Sequence, residues 1–403
     1  MMHCSANMKR TTTLICLVIS FQCFAQKPQY IRVDTIFQGP VSIPVSVRLN
    51  GVADTGRQYE LVNEGNGKKF AAQLSDPQTL IFMTEPISDG RKVKRYRLQI
   101  AGKTYPEIIS FAQSDSAIIA YLKDRPIFRY HVQESMPPKD SPAYYNRSGF
   151  IHPLYSPSGT VLTDGFPEGH THQHGIFNAW VNTTYKYDKI DFWNQHQQTG
   201  TVKHTKVLSL KGGAVYGEMS VLLHHRSLVH GDILSETWTI RIYATQSNEY
   251  LFDLKSVQQN ITNDTLHLNK YIYGGMAFRG SSEWNNEDKK HFLQRWDLFT
   301  SSGKKNDEAN HTAASWVSIS GKTAQGRSGA TVFGHQGNFR FQQPIRVHPT
   351  MPYWCFSPVV EEGFSIVKGK PLISQFRYYV HDGNPDQNRI MILENAFAKM
   401  KGW

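Results

Sequence analysis

Cysteine is nearly absent: the 403-residue chain has four, and Cys4, Cys16 and Cys23 fall in the first 25 residues, leaving Cys355 alone. This excludes a disulfide scaffold for the remainder, and Cys355 reads as a small buried hydrophobe rather than a catalytic thiol. Charge is also sparse, with 19% Asp, Glu, Lys and Arg against roughly 25% in ordinary soluble proteins. No apolar run beyond the first 25 residues approaches the ~20 that a spanning helix needs, so no membrane span is expected. There is no GxSxG elbow, phosphate-binding P-loop or GxGxxG fingerprint, so serine hydrolysis, phosphoryl transfer and NAD chemistry have no positive support. No internal repeat is visible, which argues against a propeller or solenoid.

The chain carries 44 Lys and Arg against 33 Asp and Glu, a net charge of +11. The excess is scattered, in short clusters such as Lys92 to Arg97, Lys289-Lys290 and Lys304-Lys305. No basic stripe interleaved with aromatics is present, so a nucleic-acid partner is not expected. The first 25 residues read as a signal peptide: Lys9-Arg10 supply positive charge, Leu14 to Phe24 the apolar stretch, and Ala25 the small residue before cleavage. The mature chain would begin at Gln26, with Lys9 and Arg10 gone and the charge reduced from +11 to +9. Because Met1 to Asn7 precede those charges, Met8 is an alternative start. A periplasmic or secreted destination follows.

What is abundant is apolar and aromatic: 39% hydrophobic and 12% aromatic residues suffice for a large core. Period-two alternation dominates. In Ser235 to Ala244, Trp238, Ile240 and Ile242 share one face and Thr237, Thr239 and Arg241 the other, which is the pattern of a half-buried strand. Similar runs lie at Val41 to Leu49, Thr79 to Met83, Tyr96 to Ile100, Ala214 to His224, Tyr250 to Val257 and Gln375 to Val380, separated by turn pairs such as Asn50-Gly51 and Asp382-Gly383. One helix is expected near the C-terminus, with Asn384 as cap, Pro385 at its first position and an apolar stripe of Ile390, Leu393, Phe397 and Met400 that packs on a sheet edge. The fold class is therefore all-β. Residues 26–115 are expected to form a small sandwich, 116–145 a linker around the Pro-rich Met136 to Pro142, and 146–403 a large antiparallel double sheet.

The most unusual stretch is Phe150 to Trp180, which holds His152, His170, His172 and His174. In an extended segment, residues 170, 172 and 174 point to one side. Three converging imidazoles would suit zinc, copper or iron, with His152 as a fourth ligand. They would equally suit hydrogen bonding in a sugar cleft, or acid/base catalysis without metal. The apolar Ile176, Phe177, Ala179 and Trp180 that follow place the histidines at the mouth of a buried strand.

Other candidates are less marked. Glu236 reads as an acid/base on the polar side of its strand, or as a solvated carboxylate. Asp191 and Trp193 suit a sugar ring, the carboxylate for a hydroxyl and the indole for a C–H face, although Trp193 also fits plain core. Arg279 ends an apolar run and needs a partner, either a structural carboxylate or a substrate anion. His348 belongs to a polar group with His335, Asn338 and Arg340 whose role is cleft lining or loop support.

In combination, IHPLYSPSG, FPEGHTHQHGIFNAW, Asp191-Phe192-Trp193-Asn194, Tyr273 to Arg279 and HPTMPYWCFSP resemble the PmoA ("methane oxygenase") family of secreted bacterial proteins, a domain of unknown function, over most of residues 30 to 382. His170 and His172 match a family segment closer to HPHHRG, whereas Gln173 and His174 stand where His and Arg are common. By its name the resemblance implies a metal-dependent oxygenase with His170, His172 and His174 as ligands. His174-Gly175, with Trp180 following and Glu361 or Glu362 late in the chain, more distantly resembles the galactose mutarotase-type supersandwich. That likeness implies a sugar epimerase, lyase or glycoside-processing enzyme. The preferred expectation is an exported carbohydrate-active enzyme of epimerase or lyase type, acting on a small-molecule or oligosaccharide substrate. His152, His172, His174 and Arg279 would be catalytic, Asp191, Trp193, Glu236 and His348 would bind substrate, and any cofactor would be a divalent zinc, copper or iron ion. A metal-dependent oxygenase and a non-catalytic glycan-binding protein are the alternatives.

Overall fold

A computed structural model describes residues 29–34, 42–86, 93–245 and 248–400; the expected signal peptide lies outside them. The described chain is antiparallel β throughout, with one α-helix at its C-terminal end. No helix among the described residues is long and apolar enough to cross a membrane.

The described strands between Gln29 and Ile100 form a six-stranded antiparallel sheet rather than two facing sheets. Its own core gathers Leu61, Leu80, Phe82 and Tyr96. Beyond it, two larger sheets stack face to face. The first has nine strands, running in order from Ala313–Ala314 through Gln343–Val347, Tyr353–Phe356, Gly275–Arg279, Ile176–Ala179, Ile151–Leu154, Arg125–His131 and Ala117–Leu122 to Ile109–Gln113. The second has eight, including the long strands Gly200–Lys211, Tyr216–Ser227, Gly231–Tyr243 and Glu249–Asn260. Aromatics interlock between them: Phe128 with Phe252, Tyr130 with Trp238, and Phe356 stacked on Phe376, with ring centroids 5.3–6.2 Å apart. Much of the 116–145 segment, expected as a linker, belongs to the nine-stranded sheet, because Ala117–Leu122 and Arg125–His131 pair there as a hairpin. The apolar alternation of Ile118, Ala120 and Leu122, and of Phe128 and Tyr130, needs a sheet to be buried.

The helix spans Gln387–Lys399, and Asp386 caps it. Its carboxylate accepts the backbone N–H of Asn388 and Arg389 at 2.9 and 3.2 Å, a stronger cap than Asn384 two residues earlier. Ile390, Leu393 and Phe397 do not meet a sheet edge. They share a core with Tyr243, Leu251, Trp316, Phe333 and Tyr379 of the eight-stranded sheet and Ile43 and Ile81 of the N-terminal one. The helix is thus a wedge between the two.

Register decides which side of the nine-stranded sheet each residue faces. Phe177, Ala277, Cys355 and Arg346 lie abreast across four strands, as do Arg279 and Tyr353. Their neighbours Asn178, Phe278, Trp354 and Phe356 point the opposite way, toward the eight-stranded sheet, where Phe356 meets Phe376 and Asn178 meets Glu236. Arg346 and Tyr353 therefore stand on the outward face, and that face carries the cleft.

Candidate functional site

Loops roof the outward face and leave a cleft of about 260 Å³. It is lined by His170, His172 and Gln173 from one loop, Asn194, His196 and Gln197 from a second, Tyr271 and Tyr273 from a third, and Arg346, His348 and Tyr353 from the sheet and its turn. Trp193, Phe177, Tyr273 and Tyr353 form an aromatic floor, with Trp193 4.5–5.8 Å from the other three ring centroids. A larger hollow of about 490 Å³ beside the N-terminal sheet contains no imidazole and borders residues outside the described set.

The histidine segment is not extended. Backbone bonds from His170 N to Pro167 O and from Gln173 N to His170 O fold it into two successive turns, so the alternation expected of a strand does not hold. His170 and His172 point into the cleft, where His348, His170, His172 and His196 follow one another at ring separations of 5.2, 5.4 and 5.6 Å. His174 turns inward instead. It is fully buried, packed against Phe150, Phe166 and Phe177, and its Nε2 lies 2.9 Å from Gln195 Oε1. The amide nitrogen of Gln195 is committed to the carbonyls of Tyr144 and Asn146, so Nε2 of His174 is the donor in that bond. His152 also points elsewhere, its Nδ1 3.1 Å from Thr163 Oγ1 and its ring in the space that Gly165 leaves free. The expected ligand set His170, His172 and His174 is therefore split by a turn. Among the described residues no three His, Cys, Asp or Glu side chains form a group that could hold a metal ion.

Of the remaining candidates, His348 lines the cleft, while Arg279 lies one layer behind it, fully buried, with Nη1 2.9 Å from Gln173 Oε1. Burial lowers the pKa of Arg279 to about 10, against the pull of Asp164. Asp191 binds no open space. Its Oδ1 accepts the N–H of Trp193 and Asn194, and its Oδ2 the side-chain amide of Asn194; Asn194 Oδ1 in turn accepts from Tyr273 hydroxyl at 3.0 Å. Asp191 thus positions two lining residues, and Trp193, wholly buried, is floor rather than contact surface. Glu236 is neither in the cleft nor solvated. It has the same parity as Trp238 and Ile240, so the pleat carries it inward, where it is 0% exposed.

His196, Asn194, Gln197, Tyr271, Tyr273 and Arg346 escaped the sequence reading. The available signal was local: Tyr271 and Tyr273 alternate just before the Gly-Gly pair, and Arg346 and His348 are two residues apart at the end of a strand.

Three of the cleft imidazoles, His170, His172 and His348, are held neutral. Burial, then the neighbouring His170 and His196, and then Arg279 and Arg147, depress His172 to about 3. Burial, His170, Arg346 and Arg279 bring His348 to about 4. Burial and Arg279 lower His170 against the pull of Glu287. His348 Nδ1 accepts the backbone N–H of Thr350 at 3.3 Å, so its Nε2 carries the proton in the neutral ring. Burial likewise lowers His131 to about 4 and His152 to about 3.

These shifts have a sign for stability. Unfolded imidazoles take up protons near pH 6.5, whereas the folded ones resist until pH 3–4. Stability is full above about 6.5 and falls with pH below it, on the order of 1 kcal/mol per unit for each such ring. Asp164, raised by burial, opposes this as a single group. The melting temperature at pH 5 is therefore expected several degrees below that at pH 7; an equal or higher value would contradict the burial of these rings.

The sequence matches the model of a family of unknown function, DUF6807, over residues 119–393, and the chain belongs to that family. It matches no curated protein. The matched span contains every residue that lines the cleft.

Proposed function

We propose that the cleft binds and chemically processes a carbohydrate, by imidazole acid/base catalysis of the epimerase or lyase kind. One observation carries this: four histidines from three separate chain segments converge along the wall of one open, tyrosine-floored cleft. Phenol, amide and imidazole groups offer a sugar's hydroxyls both donors and acceptors, and the aromatic rings can take its C–H faces. The motif resemblance to the PmoA family of secreted proteins adds support for an extracytoplasmic role, and that to mutarotase-type sandwiches for a sugar-directed one.

His172 sits between His170 and His196 and is the natural base. Its neutral ring would accept a proton from a sugar carbon beside a carbonyl or carboxyl group, and the electron pair of that C–H bond would pass to the adjacent oxygen, near Arg346. Returning the proton to the other face gives an epimer. Breaking a C–O bond β to that carbon, with the proton passed to the leaving oxygen, gives elimination. Arg346, unlike a metal, supplies its charge from the chain itself.

The test is turnover of a panel of mono- and oligosaccharides in deuterated water, read by NMR as new products or as deuterium at carbon. His172→Gln, in a half-buried turn, should melt close to the parent and lose ~10²–10⁴-fold in rate. Unchanged turnover in His172→Gln would remove the proposal.

A further inference from the structure

We infer that the cleft recognises a carboxylate-bearing sugar, a uronic acid residue, with Arg346 as the group that contacts the carboxylate. The inference rests on the carbohydrate reading above and narrows it to a substrate class. Arg346 is the one charged side chain among the described residues that line the cleft; the others are imidazoles, phenols and amides. It stands half-buried on the outward face, level with Cys355, and is held by a single side-chain bond, from Nη1 to the neutral Oδ1 of Asn310 at 3.1 Å. That same oxygen accepts Val347 N–H, so Asn310 fixes the guanidinium without neutralising it. No Arg346 ion pair occurs among the described residues, although thirteen other Arg and Lys side chains form them.

A second guanidinium supports it. Arg279 is wholly buried behind Gln173, and its Nε and Nη2 have no hydrogen-bond partner. Its field reaches the cleft, where it depresses His170, His172 and His348. The acids around the cleft lie outside its lining: Asp191, bonded behind Asn194, Asp164, whose charge acts on Arg279, and Glu287, packed beside Gly169. A cleft wall with an uncompensated guanidinium and no carboxylate is incomplete until an anion fills it, since a partly desolvated charge costs free energy without a partner. The planar fork of Arg matches a carboxylate through two parallel N–H donors. The neutral His170, His172 and His348 add donors rather than further charge, which suits a single negative charge over a dianion. A bound carboxylate would also offset the cationic field on His172 and raise its basicity, so that binding strengthens the base.

The experiment is calorimetric binding of five probes to the mature chain: D-glucuronate and D-galacturonate, each beside its parent hexose, with glucose 6-phosphate as the dianion control. The uronates are expected to bind at least tenfold tighter than glucose and galactose and tighter than the phosphate. Arg346→Gln and Arg346→Lys, which share a half-exposed site and should melt as the parent does, reduce the uronate preference to under threefold and by a smaller amount, respectively. Equal or tighter binding of the neutral hexoses, a preference for the phosphate ester, or a uronate preference that survives Arg346→Gln overturns the inference, as does absence of binding by all probes. The two proposals separate cleanly. Uronate binding that depends on Arg346 without turnover leaves this inference standing and removes the catalytic one; turnover of neutral sugars lost in His172→Gln, without uronate preference, does the reverse.

Discussion

Glu236→Ala should lower the stability of the protein by about 3–5 kcal/mol, the cost of leaving several buried donors and a buried guanidinium without their shared acceptor. The carboxylate is wholly buried between the two large sheets. Its Oε1 accepts Asn178 Nδ2 and Trp238 Nε1, each at 2.7 Å, and the Ser256 hydroxyl at 2.5 Å; its Oε2 accepts His225 Nε2 at 2.7 Å. Burial pushes this carboxyl's pKa up, but the bonds from His225, Ser256 and Trp238 outweigh it and hold the group below its ordinary range. The alanine variant removes one acceptor and strands four donors, with the buried Arg147 losing its nearby countercharge. Glu236→Gln keeps the shape and one oxygen but turns an N–H toward a donor, so a loss of about 1–3 kcal/mol is expected. Urea unfolding followed by far-ultraviolet circular dichroism measures both. A change under about 1 kcal/mol for the alanine variant would mean that the hub is not formed as described.

Gly175→Ala is the second large effect, and it acts on the cleft from below. Gly175 has φ +56°, and a Cβ there would stand 2.1 Å from the carbonyl oxygen of Ile151 and 3.1 Å from the Cβ of His152. The carbonyl belongs to the neighbouring strand and cannot swing aside. Moreover, Gly175 N donates to Asp164 O and Gly175 O accepts from Arg279 N, so both sides of the residue are pinned. Strain of a left-handed non-glycine residue and steric overlap together should cost about 3 kcal/mol or more. The relief available is to shift the 170–174 turns away from strand Ile176–Ala179, which would separate His170 and His172 from His348 and His196. Ligand affinity is therefore expected to fall along with the melting temperature. A stable Gly175→Ala with unaltered binding would contradict this account of how the turns are anchored.

The contrast between these two residues shows what the sequence could convey. Alternation in the 231–243 strand was legible because apolar side chains repeat with the pleat, and the same parity places Glu236 inward with Trp238; its polar identity obscured that. The helix stripe was legible, but its capping residue depended on which carboxylate reached the first N–H groups, a matter of local geometry. In the histidine segment, spacing alone suggested one face. Pro167 and Gly169, with φ +79° at Gly169, mark the turns that separate His174 from its neighbours. Arg346 and His348 join His170 and His172 only through tertiary pairing of strands far apart in sequence, Ile176–Ala179 with Gly275–Arg279 and that strand with Tyr353–Phe356, which no local pattern encodes. The described antiparallel sheets and the C-terminal helix agree with the all-β expectation.

The most direct test is an imidazole ¹H–¹⁵N NMR spectrum of histidine-labelled protein, recorded before and after adding a mixture of neutral and acidic sugars. The account predicts that the resonances of His170, His172, His196 and His348 shift together, while those of His152 and His174 stay in place. Shifts confined to histidines outside the cleft, or none at saturating sugar, would contradict it.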